Sequence, residues 1–275
     1  MRSAQAPGRW PLEALRNQAQ PWFPGLQAEA VAEIDSTNTE LMRRARAGSL
    51  LSPTLLVAET QTAGRGRLGR TWVSGAGAPG STPAALPALT FSLGLVYAPQ
   101  DWSGLSLAVG VAVARALHPA LQIKWPNDLW LDGRKLAGIL IETVQVAGQR
   151  VAVIGIGINL EPPPAGALAA QSVPATGLRA LWPGCSAPEV LQQILPALLA
   201  ALHSFEAMGL APFQTDYRAR DLLQGHPVVL SDGTQGVAQG IDAGGGLLVH
   251  TSAGMRTITS SEVSVRPAPP NGSPA

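Results

Sequence analysis

Ile123-Lys124-Trp125-Pro126-Asn127-Asp128-Leu129-Trp130-Leu131-Asp132-Gly133-Arg134-Lys135-Leu136-Ala137-Gly138-Ile139-Leu140 carries an Asp-Gly pair between two apolar runs. That arrangement is a strong two-residue hairpin signal, so residues 129–131 and 135–144 are expected to pair as antiparallel strands. The same segment holds Lys124 and Lys135, the only lysines in 275 residues; arginine supplies the other seventeen of 19 basic side chains. An ammonium is a compact charge with rotatable donors, whereas a guanidinium is a broad planar fork. A small oxygen cluster, such as a carboxylate facing a phosphate, suits the ammonium. The competing explanation is two chance surface lysines.

Composition narrows the classes. A chain of 275 residues buries roughly three quarters of its unfolded surface, enough for one large domain plus a small module. The formal net charge of +1, from 19 basic and 18 acidic residues, gives no global field for nucleic acid or anionic lipid. Cys185 stands alone, which excludes an intramolecular disulfide and a cysteine metal cluster. The histidines (His118, His203, His226, His250) are scattered without ligand spacing, and Cys185 reads as an inert small residue. No signal-type N-terminus and no run of about 18 apolar residues is present, so a soluble, cytoplasmic protein is expected.

Outward from the hairpin, both sides read as alternating strands and helices. Residues 1–27, with four prolines, are expected to be poorly ordered. A strand at 30–34 runs into Ser36, Thr37 and Asn38, cap-type residues that open a helix closed by Gly48. Strands are expected at 55–60 and 89–96, a mobile low-complexity loop at 75–88, and a helix at 103–117. The strand at 150–160 has two unlike faces: Ala152, Ile154, Ile156, Ile158 and Leu160 on one, Gly155, Gly157 and Asn159 on the other. A face almost without side chains lets a flat ligand lie against backbone. Residues 161–180 read as loop. Ser186 and Glu189 form a capping box for a long helix, which Pro196 should kink. From residue 223 short strands and tight turns suggest a small all-β module, and the tail after Arg266 reads as unstructured.

Gly64-Arg65-Gly66-Arg67-Leu68-Gly69-Arg70 follows a strand directly. Glycine lets backbone approach a ligand and arginine brings fork-shaped donors, which together suit an anion. An RNA-binding Arg/Gly tract is the alternative, but such tracts repeat and lie in disordered sequence, and this one occurs once before Trp72. Neither phosphate-loop nor dinucleotide patterns fit.

These pieces together resemble the biotin–protein ligases. The resemblance rests on Ser36-Thr37-Asn38, Gln61 with residues 64–70, Lys124-Trp125-Pro126-Asn127-Asp128, Lys135 to Leu140, and Gly155-x-Gly157-x-Asn159, in that family's order. It covers residues 30–266. It implies an α/β (α+β) fold: a mixed-sheet catalytic domain of the class II synthetase/biotin–lipoate ligase type at 28–222, and an SH3-like β-barrel at 223–267, with 268–275 disordered. It implies that biotin and ATP, with Mg²⁺ on the triphosphate, give biotinyl-5′-AMP, and that a lysine of a biotin carboxyl carrier domain then takes the biotin. Lys135, Arg65 and Arg67 are the implied catalytic residues. Ser36, Thr37, Asn38, Gln61, Gly66, Gly138, Gly155 and Gly157, with Arg65, Arg67 and Lys135, are implied at biotin. Arg67, Arg70, Trp72, Lys124, Trp125, Asn127, Asp128, Lys135 and Asn159 are implied at the nucleotide, although Asp128 reads equally as a turn cap; no metal ligand is assigned. Arg266 is expected to reach back toward the site. Ser261 stands where the family has glycine, and the stretch between Trp72 and Phe91 is expanded. A ligase without DNA-binding function, monomeric or dimeric and off the membrane, is expected. A lipoate or octanoate ligase or transferase is the near rival.

Overall fold

The computed structural model describes residues 10–73, 86–163 and 173–259, and the backbone of 265–267. Expectations for residues 1–9, for most of the 75–88 loop, for 164–172, for Ser261, for the tail and for the Arg266 side chain lie outside the described residues.

Part of the segment expected to lack order is helix α1 (Leu12–Ala19), with Leu15 and Ala19 fully buried and Trp10 and Leu26 packed beside them. Trp10, Leu12, Leu15 and Ala19 recur at helical spacing, and the prolines stand outside the helix, so its apolar stripe can dock on the core. Strand β1 (Gln27–Ile34), helix α2 (Thr37–Arg46) and β2 (Thr54–Gln61) form a crossover unit, β1 and β2 being parallel with Ala30 opposite Val57. The remaining elements are β3 (Ala88–Val96), α3 (Leu105–Leu117), β4 (Gln122–Lys124), β5 (Asp128–Leu131), β6 (Arg134–Val146) and β7 (Gln149–Asn159). Across the sheet the order is β1-β2-β3-β7-β6-β5-β4. The hairpin around Asp132 and Gly133 turns with φ of 49° and 71°, and Leu131 faces Arg134 across it.

The two faces of β7 go to different layers. Ala152, Ile154, Ile156 and Ile158 enter a large core with α1, α3 and α4 (Ala187–Met208). Val153 meets Leu41 and Met42 of α2 on the other face, and Gly155 and Gly157 continue that face. Period-two alternation therefore places the bare strip on the α2 side of the sheet.

Helix α4 begins at the expected capping box, with Ser186 and Glu189 bonded reciprocally, and continues as one helix through Pro196. Leu191, Leu195, Leu198, Leu199 and Leu202 are fully buried, each contributing about 2 kcal/mol by transfer from water. Its 22 residues are long and apolar enough to cross a membrane, but this is a core helix.

After the short helix α5 (Gln214–Arg218) comes a second, antiparallel sheet. Its strands are β8 (Pro227–Leu230), β9 (Gln235–Ile241), β10 (Leu247–Thr251), β11 (Gly254–Ile258) and β12 (Val265–Pro267), in the order β11-β10-β9-β8-β12. The turn between β9 and β10 is held by Asp242, whose Oδ1 accepts from the Gly244 and Gly246 amides at 2.9 and 2.8 Å. The Gly245 carbonyl in that turn accepts from the Trp125 indole N–H at 2.9 Å, so the two sheets meet behind the 123–128 segment.

Candidate functional site

Helix α2 starts where β1 ends, and Ser36 caps it by accepting from the Thr39 amide at 3.4 Å. Its first turn therefore points Thr37 and Asn38 down onto the sheet, where both are buried. Gln61 at the end of β2 accepts from the Thr37 amide at 2.8 Å, and the Thr37 and Ser92 hydroxyls lie 2.7 Å apart. Ser92 donates to Asn38 Oδ1 at 2.6 Å. Asn38 Nδ2 donates to the Leu140 carbonyl at 3.3 Å and to Glu142 Oε2 at 3.1 Å. Every member is fixed by its neighbours, which orients a buried polar wall.

Opposite that wall the floor is glycine. A Cβ at Gly155 would run into the Asn38 amide, and one at Gly157 would lie 2.6 Å from Cζ2 of the Trp72 indole. A Cβ at Gly138 would sit 3.4 Å from Lys135 Nζ and 3.5 Å from the Trp72 ring. The cavity between wall and floor has a volume of about 30 Å³, and Ser36, Thr37, Asn38, Gln61, Arg65 and Trp72 line it. Trp72 Nε1 is buried with no hydrogen-bond partner among the described residues, a donor that a bound ligand would satisfy.

The Gly/Arg stretch closes over this cavity as a narrow hairpin. The Trp72 amide donates to the Gly64 carbonyl at 2.9 Å and the Gly66 amide to the Arg70 carbonyl at 2.7 Å. A short 3-10 turn at Arg67–Gly69 reverses the chain, with φ of 55° at Leu68 and 70° at Gly69. Arg65 pairs with Glu142 at 3.2 Å and Arg67 donates to Asn127 Oδ1 at 3.2 Å, while Arg70 is exposed. Burial pushes the Arg67 pKa below its ordinary value, opposed by the nearby Asp128 carboxylate and assisted by Arg70.

Lys135 reaches the edge of the glycine floor from β6. Its Nζ lies 2.7 Å from Asp128 Oδ1, both side chains being partly screened from water. The Asp128 carboxylate is thus an ion-pair partner for Lys135, and its backbone, at the start of β5 directly after the 125–127 turn, pairs with Gly138 of β6. The backbone of Lys135 also ties down residues 174–176, accepting from the Thr176 amide and donating to the Pro174 carbonyl.

The structure brings Ser36, Thr37, Asn38, Gln61, Arg65, Gly138, Gly155 and Gly157 around one cavity, with Lys135 beside it at Gly138. Gly66 serves the loop hairpin. Trp72, expected on the nucleotide side, lies over Gly157 in the wall of that same cavity. Trp125 was expected at the nucleotide as well, but it is 1 % exposed and its indole is spent on Gly245: it belongs to the seam between the sheets. Lys124 is buried, with Nζ 5.8 Å from the centre of the Trp130 ring, and pairs by register with Asp128. Asn127 donates to the Ile139 carbonyl at 2.7 Å, so its amide braces the loop arginine against β6. Asn159 is buried at the end of the bare strip.

Ser92 and Glu142 escaped the sequence reading. Ser92 had a signal: Thr90, Ser92 and Gly94 alternate with Leu89, Phe91, Leu93 and Leu95, marking a small polar face. Among the described residues no three His, Cys, Asp or Glu side chains gather as a metal site.

The biotin/lipoate A/B protein ligase family matches residues 30–159, and the biotin protein ligase C-terminal domain matches 227–266. A biotin–[acetyl-CoA-carboxylase] ligase of Paracoccus denitrificans is 35% identical over 249 residues, covering 85% of this chain and 98% of that protein. The bifunctional ligase/repressor BirA of Escherichia coli is 35% identical over 86% of this chain and 73% of its own length. Among solved structures, the biotin protein ligase of Aquifex aeolicus in complex with biotin and ATP superposes with a TM-score of 0.70 at 28% identity, over 88% of this chain and 99% of that one.

Proposed function

The chain belongs to the biotin protein ligases of the biotin/lipoate A/B protein ligase family, and we propose how its residues carry out that family's two-step chemistry. It is an ATP-dependent ligase that activates biotin as biotinyl-5′-AMP and passes biotin to a carrier lysine. In the first step a biotin carboxylate oxygen forms a bond to the α-phosphorus of ATP as the α–β bridging P–O bond breaks and pyrophosphate leaves. Two anions must approach one another, and their repulsion opposes the bond. The observation that carries our assignment is Lys135 Nζ, held by Asp128 at 2.7 Å beside Gly138, where floor and loop converge. An ammonium placed there offsets the repulsion and stabilises the charge that develops.

The polar wall of Ser36, Thr37, Asn38 and Gln61 suits the few directed contacts of a ureido ring in a mostly apolar cavity. Arg65 and Arg67 stand at the mouth for carboxylate and phosphate, with Arg70 and Asn159 on the nucleotide side. Mg²⁺ enters as part of the ATP substrate, and the Asp128 carboxylate pairs with Lys135 at that edge of the site. In the second step a carrier lysine amine attacks the acyl carbon of the mixed anhydride and AMP leaves. We take the protein substrate to be a biotin carboxyl carrier domain, the compartment to be the cytoplasm where ATP and carrier meet, and the division between catalytic and small domains to fall near residue 222.

The test uses the purified chain with ATP, Mg²⁺ and a recombinant carrier domain, supplied separately with biotin, lipoate and octanoate. Intact-mass spectrometry should find the biotin adduct alone, on one carrier lysine. An adduct with lipoate or octanoate, and none with biotin, would replace this reading with the neighbouring branch of the family.

A further inference from the structure

We propose that Glu142, on β6, is a positioning residue that keeps two halves of the site in register: the Asn38 amide inside the cavity and the Arg65 guanidinium at its mouth. The inference rests on the ligase reading, which supplies the ligand, but not on Lys135 or on any step of the chemistry.

Glu142 Oε2 accepts from Asn38 Nδ2 at 3.1 Å. The same carboxylate meets Arg65 as a fork, Oε1 lying 3.2 Å from Nη2 and Oε2 3.4 Å from Nη1. The Glu142 side chain is 21% exposed and that of Arg65 50%, so the carboxylate is the anchored partner and the arginine the one with room to move. A two-pronged pair of this kind is charge-assisted and directional.

On the cavity side, Asn38 Oδ1 already takes the Ser92 hydroxyl, and its amide fills the space a Gly155 side chain would need. The amide nitrogen then has two acceptors, the Leu140 carbonyl at 3.3 Å and Glu142. Without the carboxylate only the longer bond from Nδ2 remains, and the amide is held less firmly in the cavity wall. On the loop side, Glu142 occupies Arg65 before any ligand arrives. An incoming carboxylate or phosphate meets a guanidinium already placed, and exchanges one set of oxygens for another. The ordering of the loop is thereby largely complete before binding.

Two variants separate the roles. Glu142→Gln retains an oxygen for Asn38 but has no charge for Arg65; Glu142→Ala lacks both. Biotin binding is measured by calorimetry, and loop accessibility by limited trypsin cleavage after Arg65, Arg67 and Arg70 in the ligand-free protein. Both variants should be cut about threefold or more faster than wild type, as expected of a loop that opens more often. Glu142→Gln should bind biotin within about twofold of wild type, whereas Glu142→Ala should bind about tenfold more weakly, the size of one lost charged hydrogen bond. Rescue by glutamine is the result a merely structural loss would not give. Wild-type biotin binding by Glu142→Ala, or wild-type cleavage of both variants, overturns the proposal. Wild-type protein that fails to bind biotin overturns the ligase reading and the ligand half of this proposal together, and the cleavage rates then judge the loop half alone.

Discussion

Gly155→Ala adds one methyl group, and that methyl falls on the Asn38 amide. Either the amide shifts, breaking its bonds to Ser92 and Glu142, or β7 moves against its neighbours. The variant is expected to raise the KM for biotin about tenfold or more, the equivalent of losing at least one buried hydrogen bond. Steady-state kinetics at saturating ATP check this, and an unchanged KM would mean that Asn38 does not face the ligand. At this scale much was legible. Ser36, Thr37 and Asn38 read as a helix cap, and Gly155 and Gly157 as a bare face, because both follow from local rules of periodicity and capping. Trp125 was misplaced because an indole packs equally well on a ligand or between two sheets, and its partner, Gly245, lies 120 residues away. Glu142 was missed because nothing in its strand distinguishes a carboxylate at the cavity from one in solvent.

Among the elements, the Gly64–Trp72 hairpin bears most directly on function. Its backbone bonds close the loop on itself, while Arg65 and Arg67 reach outside it, to Glu142 and Asn127. Arg67→Gly removes the brace to Asn127 and, with it, the donor we propose for the phosphate. The adenylate should then escape and label lysines at random, read as new biotinylated sites on unrelated proteins by mass spectrometry. Target specificity equal to wild type would contradict this role. A second element-scale expectation concerns Asp221, which pairs with Ile123 behind the site. Burial pushes its carboxyl pKa up, although the Leu223 amide donates to it at 2.9 Å. A raised folded-state value means the protonated form is favoured on folding, so this contribution to stability is present in acid and lost as pH rises through that value. Asp221→Asn retains an acceptor without ionising. Its Tm relative to wild type should be more favourable at neutral pH than in mild acid, and a difference independent of pH would contradict the assignment. Strands and helices with strong periodicity were readable from sequence. Helix α1 was hidden by the prolines around it, since only the presence of β1 and α4 shows what its apolar stripe covers.

At the scale of the whole molecule, the site lies on one face of the seven-stranded sheet and the large core on the other, with the small β sheet fastened behind the 123–128 segment. Trp125→Phe deletes the indole bond to Gly245 and part of a buried ring, so a hydrogen bond and packing are lost together. It should lower stability by about 2 kcal/mol, which in a chain of this size is a Tm shift of about four to eight degrees. Calorimetry that finds no shift would mean that Trp125 does not hold the seam. The division into a mixed sheet and a small β module could be read from the change in strand length near residue 223. How the two meet could not, because it depends on single contacts between distant residues. The account turns on Lys135 as the ammonium between two anions, and ATP–pyrophosphate exchange driven by biotin measures that step alone. Lys135→Ala should remain folded and exchange about 100-fold or more slowly than wild type, the scale of losing one transition-state donor. Exchange at the wild-type rate in that folded variant would contradict the account.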